Sequence, residues 1–208
     1  GGDKLRESML EKKGVNLIRF YPYGPRTLLT KNKIETLEDL EGQKIRVQGA
    51  KVLVDKINAW GGAGIAMGVP ELYTALQQGT IDGIENVAGV HYSGKYHDNA
   101  KYLLTESSSP LIIIFIVNNK WLESLPEDLQ QAVMESAAEI DEEIKQYAKE
   151  FHESAIASMA EEGVEIVEPS AELHEQFVQA SRNIVPEFIE RIPEAGPIVD
   201  DVISKFSN

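Results

Sequence analysis

The 208 residues include no cysteine, which excludes disulfides, thiolate-held metals and thiol nucleophiles together. Bases are scarce as well. Twenty Lys and Arg against 34 Asp and Glu give a net charge of -14, so nucleic acid and anionic membrane surfaces, which need an electropositive face, are not expected partners. No stretch approaches the roughly 20 apolar residues of a membrane span, and the chain opens Gly-Gly-Asp without a charged then apolar signal segment, so a chain soluble as given is expected. Familiar catalytic signatures are missing too. There is no GxSxG elbow and no GxxxxGK[ST] loop, and Gly62-Ala63-Gly64 has Met67 where a dinucleotide fingerprint needs its third glycine. His91 and His97 lie six apart, a spacing that suits neither one helical face nor a usual zinc pair. Satisfied or exposed histidines are therefore expected, with no metal and no cofactor.

Hydrophobic residues make up 42% of the chain, enough for a real core. The clearest element runs from Pro70 and Glu71, which open a helix, to Gly79, which closes it with a left-handed turn. Leu72, Ala75 and Leu76 give it one apolar face. The run Ile81 to Asn86 that follows starts like a buried strand yet carries Asp82, Glu85 and Asn86. Spacing alone leaves two readings open, a polar strand with a task or a solvated loop built on the Asp-Gly turn.

Elsewhere residues 3–13 read as a helix, and Val15 to Tyr21 as a strand broken by Pro22, Gly24 and Pro25. Residues 27–34 read as extended, Leu37 to Leu40 as a short helix, Lys44 to Gln48 as a strand, Ala50 to Trp60 as a helix and Gly64 to Met67 as a strand. Strands alternating with helices from 44 to 85 imply an α/β layer with parallel strands. Leu111 to Val117, the most apolar run, predicts a strand buried on both faces. Apolar positions recurring every three or four residues from Pro126 to Glu162 predict one helix of roughly 55 Å. Val164 to Val167 reads as a strand, Ser170 caps a helix over 171–184, and Pro197 to Phe206 is a last amphipathic segment. Trp60 and Trp121 sit at apolar helical positions and are expected in the core.

Arg46 is the residue that packing does not explain, because a strand interior rarely buries a guanidinium unless it meets an anion suited to its planar fork. The bland alternative is an edge strand with Arg46 in solvent.

The stretch ExYxALQxGxxDGxEN at 71–86, with GPR at 24–26 and DLEGQKIRVQ at 39–48 in matching order and spacing, resembles the solute receptors of tripartite ATP-independent periplasmic (TRAP) transporters, the DctP-like family. KYLL at 101–104 and LPEDLQQAV at 125–133 extend the resemblance over nearly the whole chain. It implies a periplasmic-binding-protein-like α/β fold of two lobes closing on a ligand, with a long helix spanning both. Residues 1–24 and 113–150 are expected to form the remnant of a first lobe, incomplete because the family's N-terminal part is absent. Residues 25–112 with 151–208 are expected to form the second lobe and the C-terminal helices. In the family the arginine of the KxR strand pairs with a ligand carboxylate, the arginine of the GxR turn assists, and the asparagine after DGxE hydrogen-bonds the same end. Carried over, these are Arg46, Arg26 and Asn86, with Glu85 and Tyr73 completing the candidate ligand site. Val87 departs from the proline often found there, which bears on the pocket's shape.

The function so implied is periplasmic capture of a small organic acid for delivery to a TRAP membrane permease. A dicarboxylate, sugar acid, keto acid or sialic acid would each fit the clamp. Two other readings stand beside it. One is an α/β enzyme using Glu85 or Asp82 as general base on a carboxylate held by Arg46. The other is a truncated, ligand-incompetent domain that self-associates through uncovered apolar surface.

Overall fold

The computed structural model describes residues 2–106 and 109–206. In chain order the first elements are α1 (Gly2–Lys13), β1 (Val15–Thr30), β2 (Lys44–Val47), α2 (Lys51–Ala59) and β3 (Ala63–Ala66). Next come α3 (Leu72–Gln78), β4 (Gly83–Val87), α4 (Ala88–Ser93), β5 (Tyr102–Leu104) and β6 (Pro110–Asn118). The rest are α5 (Asn119–Glu123), α6 (Glu127–Glu139), α7 (Asp141–Glu161), β7 (Glu165–Val167), α8 (Ala171–Arg182), α9 (Val185–Arg191) and α10 (Gly196–Phe206). Among the described residues no helix is long and apolar enough to cross a membrane.

The chain divides into two compact units. One comprises Gly1–Tyr23, Ile112–Lys149 and Ile192–Asn208; the other comprises Gly24–Leu111 and Glu150–Arg191. Residues 192–208, expected with the second unit, group instead with the first.

The second unit is a sheet with strand order β3-β2-β4-β1-β5-β7. β2 runs parallel to β3 and β4, as the alternation of elements predicts, but β1 pairs antiparallel with both β4 and β5, so the sheet is mixed. Pleating assigns the side chains to two faces, because cross-strand partners point the same way and successive residues point opposite ways. On one face Leu29 and Ile84 pack with Leu72 and Leu76 of α3 and with Ala155 and Met159 of α7. On the other Leu28, Ile45 and Val47 pack with Ile57 of α2, Trp60, and Leu173 and Phe177 of α8. Trp60, in the core as expected, meets the Phe177 ring edge-on at 4.5 Å and donates its indole N–H to the Phe177 carbonyl at 3.1 Å. α3 ends where its sequence says: Gly79 takes φ 76°, and the Thr80 N–H returns to the Ala75 carbonyl at 2.9 Å. β4 is a strand with all five residues buried, which removes the loop reading of this run.

The first unit has a thin core of Leu17, Ile18, Tyr21, Leu122, Ala137 and Ala148, tied by a hydrogen bond from the Tyr21 hydroxyl to the Ala137 carbonyl at 2.9 Å. Three expectations fail here. β6 is not buried on both faces: Ile112 to Ile116 are each 41–44% exposed. Trp121 is 48% exposed and lines an open apolar groove of about 670 Å³ with Phe115, Leu129 and Ile140. The single long helix is two, α6 and α7, interrupted at Ile140. Periodicity reports which residues share a face but not whether anything covers that face.

Candidate functional site

Arg46 lies in β2 beside Ile84 of β4, so its side chain emerges on the α3 face of the sheet. It is 2% exposed, which removes the solvent-facing reading. Its Nε and Nη2 both donate to the Met67 carbonyl, at 2.9 and 2.8 Å. The fork expected to face a carboxylate is thus engaged by backbone, and Nη1 is left buried with no hydrogen-bond partner. Among the described residues no carboxylate forms an ion pair with it. Burial pulls the Arg46 pKa below the ordinary arginine range, while the charges of Tyr96 and Glu85 work the other way.

Asn86 shares that face, because Thr27 is its register partner and Arg46, Ile84 and Leu29 belong to the same set. It is 3% exposed, its Oδ1 accepts from the Val87 N–H at 2.9 Å, and its carbonyl accepts the Thr27 hydroxyl at 2.9 Å. α4 begins immediately after β4 and carries His91, which is fully buried with neither ring nitrogen hydrogen-bonded. That corrects, for His91, the expectation of a satisfied or exposed histidine. Burial pushes its pKa down to about 3, helped by the Arg46 charge and opposed by the nearby backbone of Thr27 and Asn86, which stops short of hydrogen-bond geometry. His97, also buried, meets the Glu162 carboxylate at 2.8 Å. Among the described residues no group of three or more side chains is placed to hold a metal.

Arg26 and Glu85 are on the opposite face, in register with Val87 and Leu28. Arg26 Nη1 meets Glu85 Oε2 at 2.6 Å and Arg26 Nη2 donates to Gln48 Oε1 at 2.7 Å. The other Glu85 oxygen, Oε1, is held at 2.6 Å by Lys56 of α2. Lys56 also donates to the Ser109 hydroxyl at 3.0 Å and lies 4.8 Å from the Trp60 ring centre. The space these groups line has no room for a water molecule. Burial pushes the Lys56 pKa down, against the pull of Glu85. Sequence reading missed Lys56, although a signal existed: a carboxylate in a buried strand needs cations, and only Lys44, Arg46, Lys51 and Lys56 are available between 44 and 85.

Tyr73 stands elsewhere, 37% exposed on α3, with its hydroxyl donating to Asp98 at 3.3 Å. Asp82 accepts the Lys44 N–H at 2.8 Å and so anchors the start of β2.

The result is an α/β layer with a buried cation, Arg46, that has no ion pair among the described residues and lies near the carboxyl end of β2, the end at which parallel strands of such sheets receive ligands. The chain belongs to the bacterial extracellular solute-binding proteins, family 7 (DctP), whose model matches residues 1–191. It is 30% identical over 91% of its length to the C4-dicarboxylate-binding periplasmic protein DctP of Rhodobacter capsulatus, of which it covers 57%. Two crystal structures of TRAP periplasmic solute-binding proteins superpose on it closely. One, from Desulfovibrio desulfuricans with bound sn-glycerol-3-phosphate, has a TM-score of 0.91 and 28% identity, covering 98% of this chain and 65% of its own. The other, from Chromohalobacter salexigens with bound D-glucuronate, has a TM-score of 0.89 and 26% identity, covering 97% of this chain and 66% of its own. The chain therefore spans about three-fifths of the length of the relatives it matches.

Proposed function

We propose that this chain carries the anion-holding part of an extracytoplasmic TRAP solute receptor, which captures a small organic acid in the periplasm and passes it to a membrane permease. The observation that carries the reading is Arg46: a buried guanidinium with an unpartnered Nη1 and, among the described residues, no ion pair lacks the anion that would offset its desolvation. Asn86 on the same face supplies the neutral hydrogen bond, while Arg26 and Glu85 pair with each other on the opposite face of the sheet. The molecules named for the three relatives, a C4-dicarboxylate, sn-glycerol-3-phosphate and D-glucuronate, are all anions. The action is binding without turnover. Glu85, the candidate base, has both oxygens held by cations in a space with no room for a reactant, and Asp82 is committed to the Lys44 N–H.

Thermal unfolding with succinate, D-glucuronate and sn-glycerol-3-phosphate tests this. An acid present at 100 times its Kd stabilises the folded chain by about 2.7 kcal/mol. A rise in melting temperature with at least one acid is expected, and none with any of the three removes the reading. We infer further that the chain by itself associates through the exposed apolar residues of β6.

A further inference from the structure

We propose that Lys56 is a positioning residue of the anion site: by holding the second oxygen of Glu85 it cancels that charge, so that Arg46 stays the uncompensated cation an acidic solute meets. The proposal rests on the receptor reading above.

Glu85 follows Ile84, the register partner of Arg46, so the Glu85 carboxylate and the Arg46 guanidinium lie on opposite faces of neighbouring strands. They are close enough to feel one another: Glu85 favours the charged form of Arg46, and Arg26 opposes it. Behind the sheet, Arg26 and Lys56 face Glu85 and Glu106, two positive and two negative groups, with Glu106 acting on Lys56 through space and itself meeting His174 at 3.1 Å. That set is balanced, so Arg46 sets the sign of the site. Without Lys56 the rear set carries a net negative charge, and Glu85 Oε1 loses the one cation that holds it. The positive field at Arg46 would then be spent inside the protein.

Stability alone does not call for this lysine. Replacing a whole buried ion pair by apolar groups of similar volume is often neutral or stabilising, so the fold does not require the pair, although removing Lys56 alone would leave Glu85 Oε1 without its cation and give up the Nζ contact with the Trp60 ring. The lysine's distinctive contribution is therefore its charge.

The test is calorimetric titration of succinate against succinamide and of D-glucuronate against D-glucuronamide, for the wild-type chain and for Lys56→Met. A unit charge roughly 10 Å away at an effective dielectric of roughly 25 changes an equilibrium about tenfold, so the preference for acid over amide is expected to fall by about that factor. Amide affinity should stay where it was. Adding Glu106→Gln to Lys56→Met restores the balance and should restore the preference, whereas a merely structural lysine would weaken acid and amide alike and show no recovery. Should Lys56→Met not fold, Glu106→Gln alone reads the same balance with the opposite sign: the acid preference must rise, and an unchanged or lower one overturns the proposal. Wild-type chain that takes neither acid removes the receptor reading and this role together. Wild-type binding with an unaltered acid preference in Lys56→Met removes only the role of Lys56.

Discussion

Among single residues, Arg46 has the most demanding geometry. Its Nε and Nη2 hold the Met67 carbonyl and its Nη1 is left over, so one planar group positions the segment after β3 and still presents a donor. A lysine offers a hydrated point charge that serves one of these tasks but not both. Arg46→Lys is therefore expected to weaken binding of succinate or D-glucuronate about thirtyfold, roughly 2 kcal/mol, despite the retained charge. Titration showing equal affinity for the variant would place the anion site elsewhere. His91 supports a different prediction. Its folded pKa of about 3 lies below the ordinary histidine value near 6.5, so between those limits the unfolded chain binds one more proton than the folded chain. Stability from this group is fully present above about pH 6.5 and is lost as pH falls toward 3, at about 1.4 kcal/mol per pH unit. Since neither ring nitrogen has a partner, His91→Leu removes the titration without breaking a hydrogen bond. Urea melts at pH 6.5 and 4.5 should show a smaller loss for the variant than for the wild type, and equal losses would mean that His91 is not buried in its neutral form.

At the scale of elements, α4 approaches α7 closely two residues before the buried His91. Gly89 permits it: a Cβ at this position would lie 2.1 to 2.4 Å from atoms of the Phe151 ring. Gly89→Ala should therefore push the two helices apart and cost about 1 to 3 kcal/mol, the range for overpacking a filled core. Phe151→Leu in the same chain should recover part of that loss. Denaturant unfolding in which Gly89→Ala is as stable as the wild type would show that the helices have room to part. The helix ends follow local chemistry closely, as at Gly79, because a cap involves neighbours within a turn. The interruption between α6 and α7 at Ile140 does not, since an apolar residue in good helical phase carries no stop signal.

For the whole molecule, the exposed apolar run of β6 matters most. Five consecutive residues, Ile112 to Ile116, are each more than two-fifths exposed, and contiguous apolar surface of this kind drives association. Sedimentation at micromolar concentrations should show mass rising with concentration, and Ile114→Lys should reduce it. A monomer that does not change with concentration would remove the association inferred for this chain.

The sequence by itself determined the periodic and capped elements, the α/β alternation from β2 to β4, and the oddity of a guanidinium in a strand. Each depends on residues a few positions apart, where spacing and turn chemistry act directly. Its motif also singled out Arg26, Glu85, Arg46 and Asn86. Only tertiary structure decided that these four divide between the two faces of a sheet, since that depends on the register of β1, β2 and β4. It alone brought Lys56 to Glu85 across 29 residues, and it alone showed β6 uncovered. Burial and ion pairing belong to pairs of segments: a strand's composition states what would suit its neighbours, whereas the fold determines which neighbours it has.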